Sequence, residues 1–195
     1  MDLAPLVFTA GWASGVNAYA VVLVMGLLGR YAGVDSVPEA VTHTDVLVLA
    51  GGLYAVEFVT DKIPYVDSLW DSISTVIRPT VGTVLGYLIA GDAGSVDQAL
   101  YAVAGGGSAL ASHLVKSGTR LAVNASPEPF TNIGVSLGED AAVTGVVALA
   151  WYHPWLAFAI AAVLFTAGVL LVIVLFRVVL RGWRRWRSRG AVVRA

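Results

Sequence analysis

The chain has 195 residues, 57% of them apolar and 13% charged, with a mean hydropathy of +0.78 and a formal net charge of -1. That balance excludes an ordinary soluble domain and points to a polytopic membrane protein. The absence of cysteine excludes disulfides, haem-thiolate and iron-sulfur centres, while 21 glycines suggest helices packed through small side chains, since lipid supplies no hydrophobic force between helices.

In chain order, Pro5 to Gly29 is an apolar run long enough to cross a bilayer, with no basic segment before it, and reads as a retained first span. Within it Ser14 and Asn17 share a helix face beside Gly11 and Gly15, and Asn17 reads as interhelical glue or as a polar ligand. The loop Arg30 to Thr44 carries Asp35, Pro38 and Glu39 and reads as water-exposed. A second span runs from Asp45 to Thr60, with Gly51 and Gly52 offering close packing. Glu57 and Asp61, four residues apart, share a face. A carboxylate at that depth is costly unless paired, protonated or cavity-facing, and Lys62 can neutralise one of these acids.

The stretch Asp61 to Pro79 sets five charged residues between segments that read as lipid-soluble. Its apolar positions Val66, Leu69, Trp70, Ile73, Val76 and Ile77 recur at helical spacing, and Asp67, Asp71, Ser74 and Arg78 fall on the opposite face. Pro64 suits the start of that helix and Pro79 its end. Two readings remain: a helix on the membrane surface with a solvated charged face, or a re-entrant element lining a polar cavity.

A third span, Thr80 to Ala90, is short for a crossing unless it borrows length from the amphipathic helix before it. After the small, acidic turn Gly91 to Asp97, a fourth span from Gln98 to Val115 passes through Gly105, Gly106 and Gly107. His113, Lys116 or Ser117, Arg120 and Asn124 then leave it on one face. Pro127 and Pro129 break the chain around Glu128, and beyond them Asn132, Ser136, Glu139 and Asp140 form a second stripe on a fifth span ending near Trp151. Trp155 to Val179 is a clean sixth span, with Trp151, Tyr152 and Trp155 reading as an interfacial aromatic belt. The arginine-rich end, Arg181 to Arg189 with Trp183 and Trp186, suits anionic lipid headgroups better than nucleic acid.

Six spans and a cytoplasmic basic tail place both termini in the cytoplasm and put eleven of the twelve Lys and Arg residues on the inner side, leaving Arg30 outside. The chain then divides into one transmembrane domain, residues 1–183, and a basic cytoplasmic tail, residues 184–195. Two short matches suggest an internal repeat. LAGG at Leu49 to Gly52 against VAGG at Val103 to Gly106 gives a parallel one, and AGWASGVNAY against AGGGSALASH an inverted one.

Under either pairing two broken segments bring acids and bases together on one side. Arg78, Lys116, Arg120, Asn124, Asn17 and Asn132 are candidates for binding an anion or a lipid phosphate, and Glu57, Asp61, Asp67, Asp71, Glu128, Glu139 and Asp140 for coupling or gating. The same residues also suit an internal salt-bridge network. No metalloprotease, serine-hydrolase, Walker or Cys-His signature is present, and neither a metal nor another cofactor is expected.

At GWASGVNAY (Gly11 to Tyr19), FVTDKIPYVDSLWD (Phe58 to Asp71), IRPTVG (Ile77 to Gly82), KSGTR (Lys116 to Arg120) and NASPEPFTNIGVSLGED (Asn124 to Asp140) the chain resembles a family of small bacterial membrane proteins, domain of unknown function 4126. The resemblance implies an integral membrane protein and brings no activity with it. The expectation is therefore an all-α, polytopic transmembrane bundle of about six spans, with two proline-broken polar segments and a repeat, in the bacterial cytoplasmic membrane. Its expected function is a small transporter or channel. The alternatives are a structural or partner-binding membrane protein and a membrane enzyme acting on lipid phosphates. A homo-oligomer is expected, since six short helices enclose little volume.

Overall fold

A computed structural model of the protein describes residues 2–63, 65–124 and 129–192, the side chains of 122–124, 129 and 182–192 apart. The described chain is all-helical: α1 (Leu3–Tyr31), a 3-10 turn (Glu39–Thr42), α2 (Thr44–Thr60), α3 (Val66–Ala90), α4 (Ser95–Asn124), α5 (Pro129–Ala150) and α6 (Pro154–Val192). Four helices, α1, α3, α5 and α6, are long and apolar enough to cross a membrane. At 17 residues α2 is shorter, and polar residues interrupt the 30-residue α4.

Helix α1 is the hub and packs against all five others. Its buried side chains, among them Leu6, Val7, Ala13, Val21 and Met25, meet Leu85 and Ile89 of α3, Val143 and Val147 of α5 and Ala157 and Ala161 of α6 in one core. Small residues bring α1, α3 and α4 into backbone contact. A Cβ at Gly82 would lie 2.7 Å from the Gly105 carbonyl oxygen, one at Gly86 2.3 Å from that of Tyr101, and one at Gly15 2.1 Å from that of Ala109. Close backbone approach of this kind lets helices associate where both helix and surroundings are apolar. Gly51 and Gly52 do not share this role: a Cβ at Gly52 meets nothing within 4 Å, and one at Gly51 only Leu23 Cδ1 at 3.9 Å.

The amphipathic helix is inside out. Asp67, Asp71, Ser74 and Arg78 are 0–5% exposed, whereas Leu69, Ile73 and Val76 on the opposite face are 66%, 53% and 72% exposed. A helix lying on the surface with a solvated charged face is thereby corrected: the apolar stripe points outward, as suits a lipid surround, and the charges point into the bundle. Pro79 does not end this helix. It sits inside α3, so the third span does take its length from the amphipathic segment. Its missing N–H removes one helical hydrogen bond, a loss that packed neighbours make tolerable in an apolar surround. Pro64 lies outside the described residues.

Besides the break between α2 and α3, at residues 61–65, a further discontinuity lies inside α1. Asn17 has φ -151° and ψ 95°, extended values in the middle of a helix. Its side-chain oxygen accepts from the Ala20 amide at 2.9 Å, so Asn17 caps the second half of α1 from within the helix. The second expected break falls between α4 and α5, at 125–128, outside the described residues.

The packing lacks the symmetry of an inverted repeat: α1 lies along α5, but its would-be counterpart pair, α4 and α2, has no comparable backbone contact among the described residues. Trp151 is also no belt residue. It is 6% exposed in the core, while Tyr152 and Trp155 are exposed, and the Trp155 indole donates to Asp2 at 2.7 Å.

Candidate functional site

The break at Asn17 frees carbonyls that a continuous helix would use. The Val16 carbonyl accepts from Lys116 Nζ at 2.9 Å, and the Gly15 carbonyl from Arg78 Nη1 at 3.4 Å. The first half of α1 thus ends with its negative dipole end on two buried cations. On the other side of the break, Asn17 Nδ2 donates to Asp140 Oδ1 at 3.2 Å, tying α1 to α5.

Three bases hold the centre, each contacting two or more acids. Arg78 pairs with Glu57 at 2.7 Å and Asp71 at 3.0 Å. Lys116 reaches Asp61 at 2.7 Å, Glu57 at 3.5 Å and Glu139 at 3.7 Å. Arg120 reaches Glu139 at 2.5 Å, Asp61 at 3.5 Å and Asp67 at 3.7 Å. The backbone is enlisted too: the Asp61 carbonyl accepts from Arg120 Nη1 at 2.8 Å and from Asn132 Nδ2 at 3.2 Å, while Asn132 Oδ1 accepts from Arg120 at 2.8 Å. These bonds stitch the α2–α3 turn to α4 and α5.

Asp61 lies just past the last turn of α2. Burial pushes its carboxyl up, but Lys116 and Arg120 outweigh that and hold it below the usual carboxylate range.

Eleven of the thirteen residues expected at the site therefore converge: Asn17, Glu57, Asp61, Asp67, Asp71, Arg78, Lys116, Arg120, Asn132, Glu139 and Asp140. Asn124 is in the last turn of α4, its side chain outside the described ones, and Glu128 lies outside the described residues altogether.

Two further members, Lys62 and His113, stand out in the sequence without being assigned to the site. Lys62 pairs with Asp140 at 3.5 Å and donates to Ser136 at 3.2 Å, rather than neutralising Glu57 or Asp61. His113 is 1% exposed, with Nδ1 2.8 Å from Arg78 Nη1 and Nε2 3.0 Å from Thr75 Oγ1. Because a guanidinium only donates, Nδ1 is the acceptor and the ring is the neutral Nε2–H tautomer. Its place three residues before Lys116 on the α4 stripe was the available signal.

The charges do not balance. Among the described residues, six acids (Glu57, Asp61, Asp67, Asp71, Glu139, Asp140) face four bases (Lys62, Arg78, Lys116, Arg120), an excess of two negative charges if all are ionised. Glu57 Oε2 and Asp61 Oδ1 are buried without a hydrogen-bond partner. Uncompensated buried charge costs several kcal/mol per ion, so the excess calls for protons or a cation. No group of three or more His, Asp and Glu residues is placed to hold a metal ion among the described residues.

Two openings border this network. Ser68, Asp71, Ser72, Thr75, Ser117 and Leu121 line a pocket of about 130 Å³. A larger, apolar cleft of about 310 Å³ has Lys116 and Glu139 in its lining.

The family model described as a domain of unknown function (DUF4126) matches residues 4–174. The chain belongs to that family. Its match takes in α1 to α5, every residue of the charge network and most of α6. No curated protein and no solved structure matches the chain. The apolar helices are consistent with a multi-pass membrane protein.

Proposed function

We propose that the protein is a small transporter or channel of the bacterial cytoplasmic membrane that moves a proton or a monovalent cation through the buried carboxylate network. In this reading all six helices cross the bilayer, both termini are cytoplasmic, and the arginine-rich end of α6 lies among anionic headgroups. One observation carries the reading: six acids against four bases, with Glu57 Oε2 and Asp61 Oδ1 buried and unpartnered beside a broken helix. An excess of buried carboxylate is a place for a mobile positive charge, and broken helices are where many transporters bind their coupling ions.

An anion or lipid phosphate fits less well than the sequence led us to expect. Arg78, Lys116 and Arg120 already have carboxylate partners, and an anion would have to displace them. The same point weighs against a lipid-phosphate enzyme. A purely structural network is the competing reading, favoured by the number of short ion pairs across α2, α3, α4 and α5.

Proteoliposomes containing a pH-sensitive dye separate the two. With an inward proton gradient and valinomycin to clamp the potential, the protein should acidify the lumen faster than empty vesicles do. Glu57→Gln should remove the difference while still eluting as a single species. Flux equal to that of empty vesicles, over gradients of proton, sodium and potassium, would leave the structural reading standing alone.

A further inference from the structure

The apolar cleft of about 310 Å³ lies between α4, α5 and α6, with Trp12 and Val16 of α1 beneath it. Its walls include Val115, Val135, Val143, Leu164, Phe165 and Leu171. Polar groups are few and mostly committed. Ser112 Oγ donates to the Trp12 carbonyl at 2.7 Å and Thr119 Oγ1 to the Val115 carbonyl at 2.9 Å. The Lys116 side chain is 2% exposed, and its ammonium is held against Asp61. Glu139, 19% exposed, is the charged group open to the cleft, and both bases reach it through Oε2, leaving its other oxygen available.

We propose that this cleft binds an apolar organic cation, with Glu139 as its counter-charge and the Trp12 and Phe165 rings at hand for the cationic centre. The proposal deepens the transport reading and rests on it for the fate of the ligand, though not for its binding. Three features select this chemistry. Hydrocarbon walls favour an apolar body. An anion would meet the Glu139 carboxylate at the cleft, while the two cations beside it, Lys116 and Arg120, are already held by carboxylates. Arg120 and Lys116 reach Glu139 through Oε2 alone, so a neutral acyl chain would cover its other oxygen with hydrocarbon, whereas an ammonium or phosphonium centre would offer that oxygen an opposite charge and gain attraction from the aromatic rings.

The test uses an isosteric pair of opposite sign, tetraphenylphosphonium and tetraphenylborate, in equilibrium dialysis against the full-length protein in detergent. The phosphonium should bind saturably and at least about tenfold more tightly than the borate. Glu139→Gln should weaken phosphonium binding by about the same factor. Gly138→Phe should block it: Gly138 lines the cleft and a Cβ there meets nothing within 4 Å, so the new side chain enters open space without a backbone clash. That variant carries the test should Glu139→Gln fail to fold. Equal binding of both ions, or phosphonium binding undiminished in Gly138→Phe, overturns the proposal. Glu57-dependent flux without phosphonium binding also overturns it and leaves the transport reading intact. Binding of the predicted pattern without flux supports the cleft and removes the transport reading.

Discussion

Lys116 Nζ donates to the Val16 carbonyl at 2.9 Å, one residue before the backbone of α1 leaves the helix at Asn17. The two are 100 residues apart, and the bond joins a broken helix to a charge network from which neither partner can be removed alone. Loss of Lys116 would strand a carbonyl and take one of two cationic partners from each of Glu57, Asp61 and Glu139. Loss of the break would return the carbonyl to the helix and leave the ammonium short of an acceptor.

Arg78→Ala should be among the most damaging single substitutions in the chain. It removes the 2.7 Å partner of Glu57 and the 3.0 Å partner of Asp71, both buried, at a cost of about 3–5 kcal/mol. Adding Glu57→Gln should restore part of that loss, because the second change removes one of the stranded charges. Thermal unfolding of the purified protein in detergent reads both effects, and strictly additive losses would contradict the pairing.

Asn17→Ala removes the internal cap on Ala20 and the bond to Asp140 together. The expected destabilisation is about 1–2 kcal/mol, and amide hydrogen exchange at Ala20 should accelerate. Unchanged exchange there would mean that the break does not depend on its side chain.

Glycine substitutions should divide by position. Gly86→Ala sets a Cβ 2.3 Å from the Tyr101 carbonyl oxygen, an atom of the facing backbone, so α3 and α4 must separate and the protein should lose stability sharply. Gly107→Ala meets nothing within 4 Å and should leave stability unchanged or raise it by up to about 1 kcal/mol through helix propensity. Thermal midpoints of the two variants check the contrast.

Acid should weaken the fold through Asp61. Its folded value lies below the ordinary one, so it contributes stability that is fully present above the unfolded value, about 3.9, and is lost as pH falls through the folded value. The thermal midpoint of the parent protein should therefore drop on acidification below about pH 4. Asp61→Asn should start lower and drop less over the same range.

Most of the site was legible because charge in an apolar chain is expensive wherever it stands. Glu57, Asp71, Arg78, Lys116 and Arg120 had to find each other or water, and residue type with helical spacing was enough to say so. The break in the helix was not legible. Pro79 carries the strongest local signal for an end, yet α3 runs through it. Asn17 carries a weak one, yet α1 opens there because cations 63 and 100 residues distant from Gly15 and Val16 fill the freed carbonyls. His113 is legible on the α4 stripe, but its partners are not. Its role is set by Arg78 and Thr75 on the neighbouring helix, a pairing that exists only once α3 and α4 have met.

The inverted faces of α3 also constrain how the chain is made. Released alone into hydrocarbon, this helix would carry Asp67, Asp71 and Arg78 against lipid, at roughly 2.5–3.5 kcal/mol for each charge placed centrally. Glu57 of α2, already synthesised, can answer only the guanidinium, while Arg120, which answers Asp67, follows on α4. In the membrane reading α3 should therefore integrate most efficiently together with α4, because Asp67 finds its base, Arg120, only there. A nascent chain cut after Gly91 should insert less well than one that includes α4.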